Sequence, residues 1–163
     1  MESKILVIGA GGQIGTVLVE KLKSIYGDDR IIATDLRPNS DKNVLALDVL
    51  DNEALDNCIK DNDVKEIYHL AAILSASGEQ KPKWAWEVNM GGLFNVLEAS
   101  VKHSINKVFY PSTIAVFGKH IPLENTPNQV PLVPSTVYGI SKVAGELWAE
   151  YYFNKYGLDV RSI

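Results

Sequence analysis

The chain has a single cysteine, Cys58, among its 163 residues, so it can form no internal disulfide. That usage fits a reducing compartment and predicts a cytoplasmic protein. Long hydrophobic runs are also lacking. Ile5–Ile8 is too short for a signal-peptide core, and nothing elsewhere approaches the roughly 18 apolar residues of a membrane span, so no membrane partner is expected. Positive charge is not in excess: 16 Lys and Arg stand against 20 Asp and Glu, a net charge of −4. Such a chain has no general attraction for nucleic acid, and any anion it binds must be held locally. Histidine is scarce. His69, His103 and His120 are far apart and form no cluster with Cys58, so no metal site is expected. His69 lies in the apolar run Ile67–Leu70 and reads as a satisfied, buried or half-buried histidine. Trp84, Trp86 and Trp148 have no basic stripe around them and read as packing residues, as does Cys58 within its helix.

With 46% hydrophobic and 22% charged residues, the rest has the makeup of one soluble domain. Short β-branched runs alternate with amphipathic stretches. Strands are predicted at Lys4–Ile8, Arg30–Thr34, Val44–Leu47, Glu66–Leu70, Lys107–Tyr110 and Asp159–Ile163. Helices are predicted at Ile14–Tyr26, Asn52–Asp61, Trp84–His103 and Thr136–Tyr156. In the third of these, Trp86, Met90, Leu93, Phe94, Leu97 and Val101 should share one buried face. Such alternation predicts an α/β fold, a doubly wound parallel sheet in the order 3-2-1-4-5-6. The proline-rich segment Gly118–Pro134 reads as a long functional loop.

Gly9-Ala10-Gly11-Gly12-Gln13-Ile14-Gly15 follows the first strand and opens the first helix. Gly9 suits a tight turn, Gly12 a close approach of pyrophosphate, and Gly15 close packing of helix on sheet. The helix N-terminus offers free N–H groups for phosphate, which Gln13 and Ile14 would flank. Asp35 ends the second strand 20 residues after Gly15, where a carboxylate accepts ribose hydroxyls and repels a 2′-phosphate. This combination predicts NAD as cofactor, with Leu36 beside the acid. Arg37 could hold an NADP phosphate, but Asp35 stands first. Asp48-Val49, after the third strand, has two readings: an acid–apolar pair against the adenine, or a helix N-terminal acid ahead of Asp51.

Tyr138 and Lys142 are four apart in a predicted helix and so share a face. A nearby ammonium favours phenolate, which would lower the tyrosine toward the range of a general base. Ser112 and Thr113, past the fifth strand, supply two hydroxyls. Either could hold a substrate hydroxyl, or both could only cap a loop.

The glycine pattern, Asp35, His69-Leu70-Ala71-Ala72, Asn89, Ser112-Thr113 and Tyr138-x-x-x-Lys142 resemble the extended short-chain dehydrogenase/reductases, and the likeness covers the whole chain. The resemblance implies Tyr138 as catalytic base, Lys142 as its ribose-binding partner and Thr113 as the catalytic hydroxyl, with Ser112 beside it. It further implies that Leu70, Ala71 and Ala72 line the cofactor and that Asn89 braces the site. The run Ala72-Ile73-Leu74-Ser75-Ala76-Ser77-Gly78-Glu79, with Pro82, Ala85-Trp86, Asn89-Met90, Ser112–Gly118 and Thr126-Pro127, is similar to the short-chain L-threonine 3-dehydrogenases within that family. That narrower likeness implies oxidation of L-threonine by NAD to 2-amino-3-oxobutanoate. Ser75 would either hold the amino acid's polar groups or cap a loop, and a homodimer is expected. Two other readings stand beside it: a nucleotide-sugar epimerase or dehydratase on the same scaffold, and a non-catalytic NAD-binding module. Residues 1–163 are expected to form the NAD-binding Rossmann domain alone. The family's C-terminal substrate lobe would then be missing and turnover by this chain incomplete.

Overall fold

The computed structural model describes residues 3–122, 124–127 and 129–163. Six strands form one all-parallel sheet: β1 (Lys4–Ile8), β2 (Ile31–Asp35), β3 (Val44–Ala46), β4 (Val64–His69), β5 (Lys107–Phe109) and β6 (Asp159–Arg161). Their order is β3-β2-β1-β4-β5-β6, as the alternation predicted. The sheet therefore switches direction between β1 and β4, and the crevice beyond the carboxyl ends of those strands is where such folds bind ligands.

β1 shows how the core forms on both faces. Its run Ile5–Ile8 is apolar throughout, and alternation sends Leu6 and Ile8 into one cluster and Ile5 and Val7 into the other. Helix α1 (Gln13–Tyr26) covers the second cluster through Val19 and Leu22. On the opposite side, α2 (Asn52–Asp61) buries Leu55 and Ile59. Asp51 caps α2, accepting from Ala54 N at 3.0 Å. β4 begins at Val64 rather than Glu66, because Val64 pairs with Lys4 across a bulge before Ile5 meets Glu66.

Two short helices, α3 (Ser75–Gln80) and α4 (Pro82–Trp86), follow β4. A π-helical turn, Glu87–Gly91, then joins α4 to α5 (Gly92–Lys102). The uninterrupted helix expected from Trp84 is corrected by this turn. The extra residue shifts the phase, so Ala85 is buried while Trp86 is 42% exposed; Met90, Leu93 and Leu97 keep their expected places. A 3₁₀ turn, Ile114–Val116, precedes the proline-rich loop, of which Leu123 and Asn128 lie outside the described residues. The last helix is α6 (Val137–Tyr156). Thr136 caps it by accepting from Gly139 N at 3.0 Å, and it ends at Gly157 in the left-handed conformation. Phe94 and Trp148 meet edge to face at 4.9 Å and join α5 to α6. Among the described residues, no helix is long and apolar enough to cross a membrane.

Candidate active site

The glycine turn lies at the carboxyl end of β1. Gly9 has φ +88°, and a Cβ there would lie 2.7 Å from Ala71 N. At Gly15 a Cβ would strike the Gly9 carbonyl oxygen at 2.3 Å, so α1 can lie this close to the turn only with glycine. Gly12 is different. It stands at the N-cap of α1 in extended conformation, and a Cβ would meet only Gly9 O, at 3.4 Å. Gly12 has no side chain with which to cap this helix, so its first N–H groups are left for an anion, as a phosphate cradle requires. Gln13 opens the helix, and Ile14 stands exposed beside the cradle.

A pocket lies against this turn, walled by Ile8, Gly9, Gly12, Asp35, Leu36, Leu47, Asp48, Val49, Leu70, Ala71, Ala72, Ile73 and Val88. Asp35 is fixed at its edge. One carboxylate oxygen accepts from Gly11 N and the other from Arg37 N, each at 3.0 Å. Asp48 accepts from Leu50 N at 2.9 Å, while the capping role falls to Asp51. Of the two readings of Asp48-Val49, the pocket wall is thus the one the geometry favours. Ile8, Leu47 and Val88 also line the pocket and were not singled out in the sequence, because an apolar wall residue carries the same pattern as any core residue.

Asn89 does not line the pocket. It sits buried in the π turn, where its Oδ1 accepts from Ile73 N at 2.7 Å. Its Nδ2 donates to Ile73 O at 3.0 Å and to Ser141 Oγ at 3.2 Å. It thereby ties the pocket wall to α6, three residues past Tyr138. A second tie joins α3 to the same helix: Glu79 accepts from Val137 N at 2.7 Å, and Gly78 packs on Val137. Ser75 is half-buried at the first position of α3, whose N-terminus has no side-chain cap.

Tyr138 and Lys142 lie one turn apart on α6, opposite the chain leaving β5. Lys142 is buried. Its Nζ donates to Pro111 O at 2.6 Å and lies 4.0 Å from the centre of the Tyr110 ring, against 5.6 Å for Tyr138. Desolvation pulls its ammonium down to about 8, opposed by the charge of Glu146. The expected lowering of Tyr138 by Lys142 is not seen. Burial holds the phenol above its ordinary value, and what works against burial is a hydrogen bond with Thr113. The reason is geometric, since the ammonium is turned toward Pro111. The two hydroxyls past β5 separate cleanly. Ser112 donates to Glu146, whereas Thr113 accepts from Ala115 N at 3.3 Å and its hydroxyl is the group that opposes burial at Tyr138.

His69 is buried as expected, but neither ring nitrogen has a hydrogen-bond partner among the described residues. It stacks on Tyr110, with ring centroids 5.9 Å apart. Burial, and then the charge of Lys142, drop its imidazole to about 3. The folded state therefore holds it neutral, while the unfolded chain takes up a proton below about 6.5. Its linked contribution to stability is present above that value and is lost as pH falls toward 3, at up to about 1.4 kcal/mol per pH unit. A His69→Leu variant should lose less stability than the parent between pH 6.5 and 3. Denaturant midpoints across that range check this; parallel curves for the two proteins would show that His69 does not titrate with unfolding.

Comparison with known proteins places this architecture. The model of the NAD-dependent epimerase/dehydratase family matches residues 5–163. An uncharacterised epimerase/dehydratase of Staphylococcus aureus (strain USA300) is 45% identical over 166 residues, which take in 98% of this chain and 51% of that protein. The chain thus spans about half the length of the curated relatives it matches. Among solved structures, a monomeric L-threonine 3-dehydrogenase from a metagenome, in apo form, superposes with a TM-score of 0.93 at 48% identity, over 97% of this chain and 52% of that one. UDP-glucose 4-epimerase of Thermotoga maritima superposes with a TM-score of 0.89 at 27% identity, over 98% and 54%. The glycine cradle after β1, the carboxylate ending β2 and the tyrosine–lysine pair on α6 are therefore those of a chain that belongs to the NAD-dependent epimerase/dehydratase family.

Proposed function

We propose that the protein carrying these residues oxidises L-threonine to 2-amino-3-oxobutanoate, with NAD as the hydride acceptor. The observation that carries this reading is the docking of α3 on the N-terminus of the helix that bears Tyr138, through Glu79 and Gly78. It brings the Leu74–Glu79 run, which resembles the threonine enzymes, beside the proton-transfer group. The 48% identity to an L-threonine 3-dehydrogenase, against 27% to an epimerase, supports the same choice. A homodimer is the expected assembly; the 48% identical relative is itself monomeric, and mass in solution by light scattering distinguishes the two.

NAD fits the cradle in a specific way. The uncapped N-terminus of α1 would take the pyrophosphate, Asp35 the adenosine ribose, and Asp48 and Val49 the adenine edge of the pocket. Held there, NAD would supply the acceptor for the hydride that leaves the carbinol carbon of the substrate. The chain's own residues do the rest. Tyr138 takes the hydroxyl proton as the carbonyl forms, Thr113 holds that hydroxyl against Tyr138, and Lys142 supplies positive charge behind them. Ser75, at the start of α3, holds the amino acid's polar groups.

The runner-up is epimerase or dehydratase chemistry on a nucleotide sugar, in which NAD is reduced and reoxidised within one cycle. NADH fluorescence separates the two. Adding L-threonine and NAD should release free NADH in step with substrate consumed, and NADP should replace NAD poorly because Asp35 is anchored at the ribose edge. A protein that interconverts UDP-sugars with no net NADH overturns the threonine reading. Equal use of NADP overturns the role of Asp35.

A further inference from the structure

Tyr138, Lys142 and Glu146 follow one another at one-turn spacing on α6, so all three lie on one helical face. Across from that face the chain leaves β5 as Tyr110-Pro111-Ser112-Thr113. Lys142 Nζ donates to the Pro111 carbonyl at 2.6 Å, and the Ser112 hydroxyl donates to the Glu146 carboxylate. Two consecutive residues are thus stitched to two consecutive turns of the helix. The next residue, Thr113, carries the hydroxyl that works against the effect of burial on Tyr138. Gly145 makes room for this arrangement, since a Cβ there would lie 2.5 Å from the Tyr110 ring.

Among the described residues, the titratable groups facing Lys142 are His69 from β4, Tyr110 beyond β5, and Tyr138 and Glu146 on α6 itself. His69 is held neutral by burial, and both tyrosines are pushed above their ordinary values. Glu146 is the carboxylate in this set, one helical turn from Lys142 and the acceptor of the Ser112 hydroxyl.

We propose that Glu146 is a positioning residue for the Tyr138–Lys142 pair: through Ser112 it holds Thr113 in register with Tyr138, and its carboxylate is the counter-charge of the buried Lys142 ammonium. This rests on the reading of Lys142 as the cation that serves Tyr138. The carboxylate opposes the desolvation that pulls Lys142 down, which is the direction a counter-charge must act.

The test is an NMR titration of the Lys142 side chain in the 163-residue protein, with its resonance assigned by Lys142→Arg. Glu146→Gln keeps the size of the side chain and can still accept from Ser112, but removes the charge. Glu146→Ala removes both. Glu146→Asp keeps the charge on a shorter stem. Lys142 should lose its proton at lower pH in E146Q and E146A than in the parent, and E146D should lie nearer the parent than either. A Lys142 midpoint unmoved in whichever of E146Q and E146A is folded overturns the proposal. So does an E146D shift as large as that of E146Q, since packing rather than charge would then be responsible. The titration does not depend on what the enzyme oxidises. A shifted midpoint in a protein that makes no NADH from threonine leaves this inference standing and removes only the substrate reading.

Discussion

If the full-length protein oxidises threonine as proposed, replacing Tyr138 by phenylalanine in it should lower that turnover by at least roughly 10²–10⁴-fold, the usual contribution of a positioned general base, while NAD affinity stays close to that of the parent. Only the hydroxyl is removed, so the half-buried ring and its packing remain. No neighbour can substitute for it. Lys142 Nζ is committed to Pro111 O, and Tyr110 is buried against Gly145 with its phenol pushed well above the ordinary tyrosine value. His69 has the right chemistry but lies sealed beneath Tyr110, with no exposed nitrogen. Steady-state kinetics beside calorimetry with NAD read the two quantities separately. Near-normal threonine oxidation by Tyr138→Phe would mean that the base is elsewhere.

What was legible in the sequence was what repeats a local rule. The strand order followed from alternation, the glycine turn from its place between β1 and α1, and the pairing of Tyr138 with Lys142 from a spacing of four. What was not legible depends on contacts between distant segments. Nothing in Glu87–Gly91 signals a π turn, because the residues suit an α-helix equally well. The turn follows from Asn89 satisfying both backbone groups of Ile73 while reaching Ser141, 52 residues away. Trp86 was misplaced on the buried face for the same reason. The six-residue α3 is too short to show a period, and its orientation comes from Glu79 on Val137. By position alone Ser112 and Thr113 were equivalent neighbouring hydroxyls, and only the family resemblance chose Thr113. In the structure Glu146, more than thirty residues later, separates them by drawing the Ser112 hydroxyl to α6. The direction of the Lys142 ammonium was likewise set by Pro111 O rather than by the helix that carries it.

Two alanine substitutions in the glycine cradle should differ in their effect on stability and share their effect on binding. At Gly15 the new methyl would meet Gly9 O at 2.3 Å and Ala10 Cα at 2.7 Å, backbone atoms with no flexible end to yield. α1 would have to move off the turn, against the hydrogen bond from Gly12 N to Gly9 O at 3.2 Å that closes it. Overpacking of this kind costs about 1–3 kcal/mol, and in a domain of this size each kcal/mol lowers Tm by about 2–4 °C. Gly15→Ala should therefore melt earlier and bind NAD poorly. At Gly12 the backbone is at φ −73° and ψ 173°, which alanine adopts freely, and the methyl would make only an ordinary contact with Gly9 O. Its Tm should match the parent. NAD affinity should still fall, on the order of 10- to 100-fold, because the methyl would enter the space where phosphate meets the N–H groups of α1 and a displacement worth about 1.4–2.8 kcal/mol gives that factor. Thermal melts and calorimetry on the same three proteins decide the matter. Unchanged NAD affinity in a stable Gly12→Ala protein would place the pyrophosphate away from this helix N-terminus and leave the glycine run as a packing device alone.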